Sequence, residues 1–94
     1  FQRADGQWVV VDYKTSYVHD LSLRDHARRY HLQVGAYAQA VSVQLVQAGM
    51  MPVGTLPEVY IHYIRHEQTV QVLPHEWQAA LDMLEQQIGR VLTT

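Results

Sequence analysis

The chain contains no cysteine, which excludes disulfide bonds, thiolate zinc sites and iron–sulfur clusters from it. It also has no apolar run of about 18 residues, the length that a membrane-spanning helix needs. Its first residues, Phe1 to Asp5, offer neither an initiating methionine nor the basic flank of a signal peptide. Because 94 residues form at most one small domain, we expect the chain to be part of a longer protein.

Positive charge is also scarce, since the formal net charge is −2. This balance excludes a strongly basic nucleic-acid-binding module and leaves only local contacts with a polyanion. The clustered candidates for such contacts are Arg24, Arg28 and Arg29, for which a solvated helix face is an equally good explanation. The hydrophobic content of 48% is that of a chain that folds around a core.

Lysine occurs once, as Lys14, in the segment Trp8-Val-Val-Val-Asp12-Tyr-Lys14. The apolar, β-branched run predicts a strand over residues 7–14 that ends in an acid, a spacer and a base. Side chains alternate along a strand, so Asp12 and Lys14 share one face and Tyr13 lies on the other. Two readings are open: a site for a divalent cation, a water and a phosphate oxygen, or two ordinary charges at a strand end.

The neighbouring segments predict the elements around this strand. The pair Asp5-Gly6 is typical of a tight hairpin turn, which makes residues 1–3 the end of a preceding antiparallel strand. After a loop over residues 15–22, Ser22 and Asp25 form a capping box that begins one long helix from Leu23 to about Ala48. Its apolar stripe is predicted at Tyr30, Val34, Tyr37, Val41 and Leu45.

The second half of the chain predicts a hairpin and a helix. Residues 58–65 and 69–73 have the composition of strands, and the polar turn 66–68 joins them. A helix follows from Pro74 or His75 to about Val91, with Trp77, Leu81, Leu84 and Ile88 on one face. The order is (β)βαββα, which predicts an α/β (α+β) fold with a mixed sheet and flanking helices. None of the histidines forms the helical pair of a zinc site, so we expect them to be surface or partly buried residues.

Two motifs together carry a resemblance to a known family. Asp12-Tyr-Lys14-Thr15 ends the strand, and Gln33-Val-Gly-Ala-Tyr37 follows on one face of the helix. In this order and spacing they resemble the PD-(D/E)XK nuclease superfamily, and within it the RecB-type exonuclease domains. The resemblance covers residues 1 to about 73 and implies a restriction-endonuclease-like core.

The resemblance implies a role for each motif residue. Asp12 and the carbonyl of Tyr13 would bind Mg²⁺ or Mn²⁺, and Lys14 would position a water or stabilise developing negative charge. Gln33 would orient the nucleophile or a metal ligand, and Tyr37 completes the predicted catalytic set. Contacts with DNA are expected from Thr15, Arg28, Arg29 and Tyr30, with Tyr30 or Tyr37 alternatively supporting Lys14.

The same resemblance implies that the site is incomplete in this chain. A further metal-binding acid of the family precedes the Asp-x-Lys acid by a dozen or more residues, which places it just before Phe1, with the family's early helix further upstream. Asp5, at a turn tip, is a poor substitute. We therefore expect residues 1–94 to form a partial nuclease domain that is inactive alone.

In a RecB- or AddA-like parent, the domain would be an exonuclease of DNA double-strand-break repair and recombination, in the bacterial cytoplasm or nucleoid. A helicase module or a helicase–nuclease partner subunit would accompany it. Two alternatives stay open: a nuclease-derived module that binds DNA ends or a protein without cleaving, and an unrelated α/β domain. The intact pair of Asp12 and Lys14 argues against the first alternative. Oligomeric state, digestion polarity and strand preference are not given by the sequence.

Overall fold

A mixed three-stranded sheet covered by helices forms the fold in the computed structural model, which describes the backbone of residues 1–93 and the side chains of residues 1–90. The strands are β1 (Val9–Lys14), β2 (Glu58–Tyr63) and β3 (Gln68–Val72), and the helices are α1 (Leu23–Ala27), α2 (His31–Gln47) and α3 (Pro74–Thr93). The predicted α+β fold, consistent with a restriction-endonuclease-like core, is confirmed. No helix within residues 1–93 has the length and apolar character needed to cross a bilayer.

The sheet has the order β1-β2-β3 and combines both kinds of pairing. Strand β1 runs parallel to β2, with Asp12 opposite Ile61 and Lys14 opposite Tyr63, and β2 and β3 form an antiparallel hairpin. Strand β2 ends two residues earlier than predicted because a 3₁₀ turn, Ile64–His66, follows it directly, and β3 has the predicted length but begins one residue earlier. Glu67 closes that turn in the left-handed region, at φ 51°.

The predicted turn at Asp5-Gly6 is present, with Gly6 at φ 91°. Before it, Phe1 and Val9 exchange two backbone hydrogen bonds, from the amino group of Phe1 at 2.9 Å and from the N–H of Val9 at 2.7 Å. The segment 1–3 therefore starts an antiparallel partner on the outer edge of β1, through a bridge between Gln2 and Trp8. From Val11 onward this edge has no strand partner among the described residues.

The prediction of one helix from Leu23 to Ala48 is wrong in its middle. Ser22 caps α1 as expected, through its Oγ and the N–H of Asp25 at 3.1 Å, but a 3₁₀ turn over Arg28–Tyr30 separates α1 from α2. No proline or glycine causes the break. Ala27 and Val34, on either side of the break, are both buried in the core.

One face of the sheet carries the core. Ile61 and Tyr63 are fully buried there together with Ala27, Val34, Ala38 and Trp77 from the three helices. The predicted stripe of α2 is correct for Val34, whereas Tyr37 is 65% exposed and Ala38 takes the central position. On α3, burial fades along the predicted face, from Trp77 to the exposed Ile88.

Helices α2 and α3 approach closely at Gly35. A Cβ atom on Gly35 would lie 2.9 Å from Cβ and 3.1 Å from the carbonyl oxygen of Trp77. Real Cβ atoms are not found at the shorter distance, so the contact requires glycine. The absence of a side chain at Gly35 thus lets Trp77 fill the space between the two helices and the sheet.

Candidate active site

Lys14 lies at the centre of the candidate site, at the carboxyl end of β1. Its Nζ is 2.9 Å from Oδ2 of Asp12, 3.4 Å from Oε1 of Gln33, and 4.0 Å from the centroid of the Tyr30 ring. The shared face of Asp12 and Lys14 is as predicted, because their sheet neighbours Ile61 and Tyr63 both point into the core. The ammonium group is therefore held by a carboxylate, an amide oxygen and an aromatic face.

Asp12 carries an oxygen without a hydrogen bond. Oδ2 is buried and accepts no hydrogen bond from the described residues. It lies 2.9 Å from Nζ of Lys14, which makes an ion pair, but the angles of this contact are not those of a hydrogen bond. The ammonium group of Lys14 compensates the charge of this buried oxygen. Hard divalent cations prefer such oxygens, so Asp12 fits a Mg²⁺ or Mn²⁺ ligand.

Tyr13 offers a second oxygen through its backbone. The carbonyl of Trp8 accepts a hydrogen bond from the N–H of Glu58 at 2.9 Å. The backbone N–H and C=O groups of every second residue from Trp8 onward therefore point to β2. The carbonyl of Tyr13 accordingly points to the open edge of the sheet, next to Asp12 in sequence. The Tyr13 ring lies on the other face, 62% exposed and edge-on to His62 at 5.8 Å.

These two oxygens do not make a complete metal site. Within the described residues, no group of three or more histidine, cysteine or acidic side chains could hold a metal ion. A metal ion at Asp12 would therefore need a second acid from elsewhere. Asp5 does not provide it, since it is engaged in the turn, where its Oδ1 accepts the N–H of Gln7 at 3.0 Å.

A cleft of about 230 Å³ opens beside Asp12, between β1 and α2. Gln33 and Tyr37 lie on its helix wall, and Val10, Val11 and Val34 complete the lining. The four-residue spacing of Gln33 and Tyr37 therefore places both side chains beside the carboxylate, as the motif predicted. The exposed ring of Tyr37 belongs to the wall of the cleft and not to the core.

Of the two tyrosines considered as supports of Lys14, the ring of Tyr30 is the one that lies against its Nζ. Beneath it lies a pair that the sequence prediction missed: Nδ1 of the buried His26 is 2.9 Å from the hydroxyl of Tyr63, and the rings of His26 and Tyr30 are 5.6 Å apart. Burial, which is the main cause, and nearby charge raise the pKa of Tyr63. The spacing of His26 and Tyr30, one helical turn, could have indicated that their rings lie close together, but no local signal indicates the partner Tyr63.

The predicted DNA contacts of Thr15, Arg28 and Arg29 are not part of this cluster. All three side chains are exposed, and Arg28 lies 3.5 Å from Asp25 in an exposed ion pair. Arg29 acts on the interior, because its charge adds to burial in lowering the pKa of His26. Arg24, Arg28 and Arg29 form a basic surface on α1 and the 3₁₀ turn before α2. The contact of Thr15, Arg28 and Arg29 with DNA stays a prediction.

The buried His26 predicts how stability depends on pH. Burial, together with the charges of Arg29 and His66, lowers the pKa of His26 in the folded state from 6.5. The unfolded chain then binds more protons, so the free energy of unfolding should be constant above pH 6.5 and decrease as the pH falls below it. Urea unfolding at several pH values checks this.

His26→Asn is the matched variant, since its amide reaches toward Tyr63 without titrating. It should show a smaller loss of stability below pH 6.5, with a residual slope from His31, whose pKa burial also lowers. An unchanged slope in His26→Asn would contradict the assignment to His26.

The comparisons with known proteins agree with this geometry. No curated protein and no solved structure matches the chain at a significant level. A family model does match, that of the PD-(D/E)XK nuclease superfamily, and it covers residues 2–93. The match spans both Asp12-Tyr-Lys14 and Gln33–Tyr37, the segments that meet at the cleft. With nearly its whole length matched, the chain belongs to the PD-(D/E)XK nuclease superfamily.

Proposed function

We propose that this domain is the lysine-bearing part of a metal-dependent DNA exonuclease, which hydrolyses phosphodiester bonds. Nuclease activity follows from the family, and the choice of an exonuclease follows from the RecB-type combination of Asp-Tyr-Lys-Thr with Gln-x-x-x-Tyr. The observation that carries the proposal is the position of Lys14, whose Nζ is held by Asp12, Gln33 and Tyr30 beside an open cleft.

Asp12 and the Tyr13 carbonyl are the residues that would hold the metal. A bound Mg²⁺ or Mn²⁺ supplies an acidified water and neutralises charge on the scissile phosphate. The buried Oδ2 of Asp12 supports this assignment, since it accepts no hydrogen bond among the described residues and hard divalent cations prefer carboxylate oxygens.

Lys14 acts on the phosphate. Its side chain is 17% exposed, so the charge of the ammonium group is screened less than a surface charge, and its partners Asp12 and Gln33 both line the cleft. A compact cation in this position stabilises negative charge that develops on the phosphate oxygens during hydrolysis. Gln33 and Tyr30 keep Nζ from turning into solvent, so little reorganisation is needed when the substrate binds.

The cleft beside Asp12 would receive the DNA strand. Gln33 offers an amide at its rim for orienting the attacking water, and the exposed ring and hydroxyl of Tyr37 offer a contact for the nucleotide. The basic surface of Arg24, Arg28 and Arg29 lies at the start of the same helical segment and would attract the phosphate backbone. Thr15, directly after Lys14, can donate a hydrogen bond to a phosphate.

The second metal-binding acid would come from a strand on the open edge of β1. The pairing of Phe1 with Val9 and of Gln2 with Trp8 fixes the antiparallel register. Continued backwards, this register sets the residue three positions before Phe1 opposite Asp12, on the same face. We propose an acidic residue at that position as the missing ligand.

A designed extension tests this proposal directly. We expect a short β-branched segment with aspartate three residues before Phe1 to create tight Mn²⁺ binding and metal-dependent cleavage of a labelled oligonucleotide. The reason is that two carboxylates then face one cation. Isothermal titration with Mn²⁺ and a cleavage assay measure the two effects.

The controls use the same segment. Asparagine in place of that aspartate removes the charge, and aspartate two residues before Phe1 places the charge on the opposite face of the sheet. Both should bind Mn²⁺ no better than residues 1–94 alone. If the shifted aspartate were as effective as the designed one, the proposed register would be wrong.

The same motifs support a setting in double-strand-break repair, with a helicase module or partner subunit that supplies the DNA strand. The test is whether a DNA-dependent ATPase co-purifies with the natural protein. Cleavage that is unaffected by ATP and by removal of every co-purifying ATPase would argue for a nuclease that works alone.

A further inference from the structure

The loop that follows Lys14, residues 15–21, is fastened by a histidine to the turn between β2 and β3, which lies at the same end of the sheet. The backbone N–H of Val18 donates to Nε2 of His66 at 3.0 Å, 48 residues along the chain. Of the hydrogen bonds among described residues, this is the one that connects the loop to another element. His66 belongs to the 3₁₀ turn between β2 and β3, which the N–H of Glu67 closes onto Ile64 at 3.2 Å.

His66 holds the loop through its ring face as well. The Tyr17 ring stacks on it at 4.7 Å with an interplanar angle of 21°, and the buried Tyr63 meets it edge-on at 6.4 Å. One imidazole thus holds two consecutive loop residues, Tyr17 and Val18, and is itself in contact with the buried ring of Tyr63. Val18 also packs against the core with its side chain.

The hydrogen bond determines the form of the imidazole. An acceptor at Nε2 requires a lone pair there, so the neutral ring carries its proton on Nδ1. Phenylalanine could preserve the stacking on Tyr17 but not the hydrogen bond. Glutamine can place an acceptor oxygen near the position of Nε2 but cannot stack as well.

We propose that His66 is a positioning residue for the nuclease site: by holding Tyr17 and Val18 it keeps the hydroxyls of Thr15 and Ser16 at the end of β1, where a DNA phosphate binds. This inference rests on the proposed function for its consequence, but the fastening of the loop stands on the contacts alone. The sequence does not indicate this role of His66, because His66 lies far along the chain from the loop and outside both nuclease motifs.

The first measurement needs no variant. Long-range ¹H–¹⁵N correlation spectra of the protein at neutral pH should show His66 as the Nδ1–H tautomer, with the amide of Val18 protected from exchange. Observation of the Nε2–H tautomer would overturn the proposal, since that form cannot accept the Val18 N–H.

Two variants then separate the hydrogen bond from the stacking. In His66→Phe we expect Val18 exchange to accelerate about tenfold, the factor for one ordinary hydrogen bond, and His66→Gln should restore most of the protection. Thermal unfolding of each variant shows whether it folds. Equal protection of Val18 in folded wild-type protein and folded His66→Phe would overturn the proposal.

Binding of a fluorescein-labelled single-stranded oligonucleotide, measured by anisotropy in Ca²⁺, tests the consequence for the site. We expect Kd to rise about three- to tenfold in His66→Phe and to recover in His66→Gln. An unchanged Kd despite a mobile loop would overturn the positioning role. The assay uses the protein that carries the second carboxylate on the β1 edge. Failure of the nuclease proposal is distinguishable, because this protein would then not bind the oligonucleotide, whereas Val18 would still lose its protection in His66→Phe.

Discussion

Lys14→Ala is expected to lower metal-dependent DNA cleavage by about 10²–10³-fold, the loss typical when one preorganised electrostatic contact to the transition state is removed. The assay uses the protein that carries the second carboxylate on the β1 edge. Lys14 is the only lysine of the chain, and Nζ has no substitute within reach among the described side chains, since its neighbours are Asp12, Gln33 and Tyr30. DNA binding should change far less than cleavage, because the basic surface on α1 and α2 remains.

Arg65→Ala is the matched control for Lys14→Ala. It removes one exposed positive charge from the β2–β3 turn, at the same end of the sheet as Lys14 but outside the residues that line the cleft, and should leave cleavage within about twofold of wild type. Oligonucleotide binding in Ca²⁺ and cleavage in Mg²⁺ are measured for both variants. If Lys14→Ala lost binding and cleavage equally, a role in folding or in simple attraction of DNA would explain Lys14 better than catalysis. Full cleavage in Lys14→Ala would contradict the proposed mechanism.

Trp77→Ala is expected to cost about 3–5 kcal/mol of folding free energy, which for a domain of this size leaves little or no folded protein. Trp77 is 1% exposed and is the largest buried side chain of the core, where it fills the space opposite Gly35. The surrounding backbone of α2 and α3 is already in contact and cannot collapse into the cavity. Urea unfolding followed by circular dichroism measures the loss.

Trp77→Phe separates volume from polarity in the same position. Nε1 of Trp77 is buried and finds no acceptor among the described residues, so its removal relieves an unsatisfied donor. We therefore expect Trp77→Phe to be much less destabilising than Trp77→Ala. Met83→Ala is the control on the same helix: it truncates a side chain that is 62% exposed and should change the free energy of unfolding by less than about 0.5 kcal/mol. Equal losses in the two Trp77 variants would mean that the indole N–H is satisfied in solution.

Local sequence patterns were sufficient for the elements that are defined locally. The strand before Lys14, the turn at Gly6 and the cap at Ser22 depend on alternation, on a positive φ and on one side-chain hydrogen bond, and all are found. For the site, the shared face of Asp12 and Lys14 followed from strand alternation, and the neighbouring positions of Gln33 and Tyr37 followed from helical spacing.

The features that were missed depend on tertiary contacts. The break at Arg28–Tyr30 has no breaker residue, and the local sequence offers no signal for it. Tyr37 fits the apolar spacing but lies outside the core because the cleft opens beside it. Likewise the role of His26 depends on Tyr63, a partner 37 positions away that spacing within a helix cannot reveal.

The parallel pairing of β1 with β2 has a consequence for how this protein folds. The chain must close a loop over residues 15–57 before Lys14 meets Tyr63, whereas β2 and β3 join through a few residues. Closing a long loop costs more chain entropy than closing a short one, and this cost comes before the contacts of β1 form. The hairpin with its helices can therefore form first, and β1 docks afterwards. Local unfolding of the native state should follow the reverse order. We therefore expect β1, which bears Asp12 and Lys14, to be the strand that opens most readily.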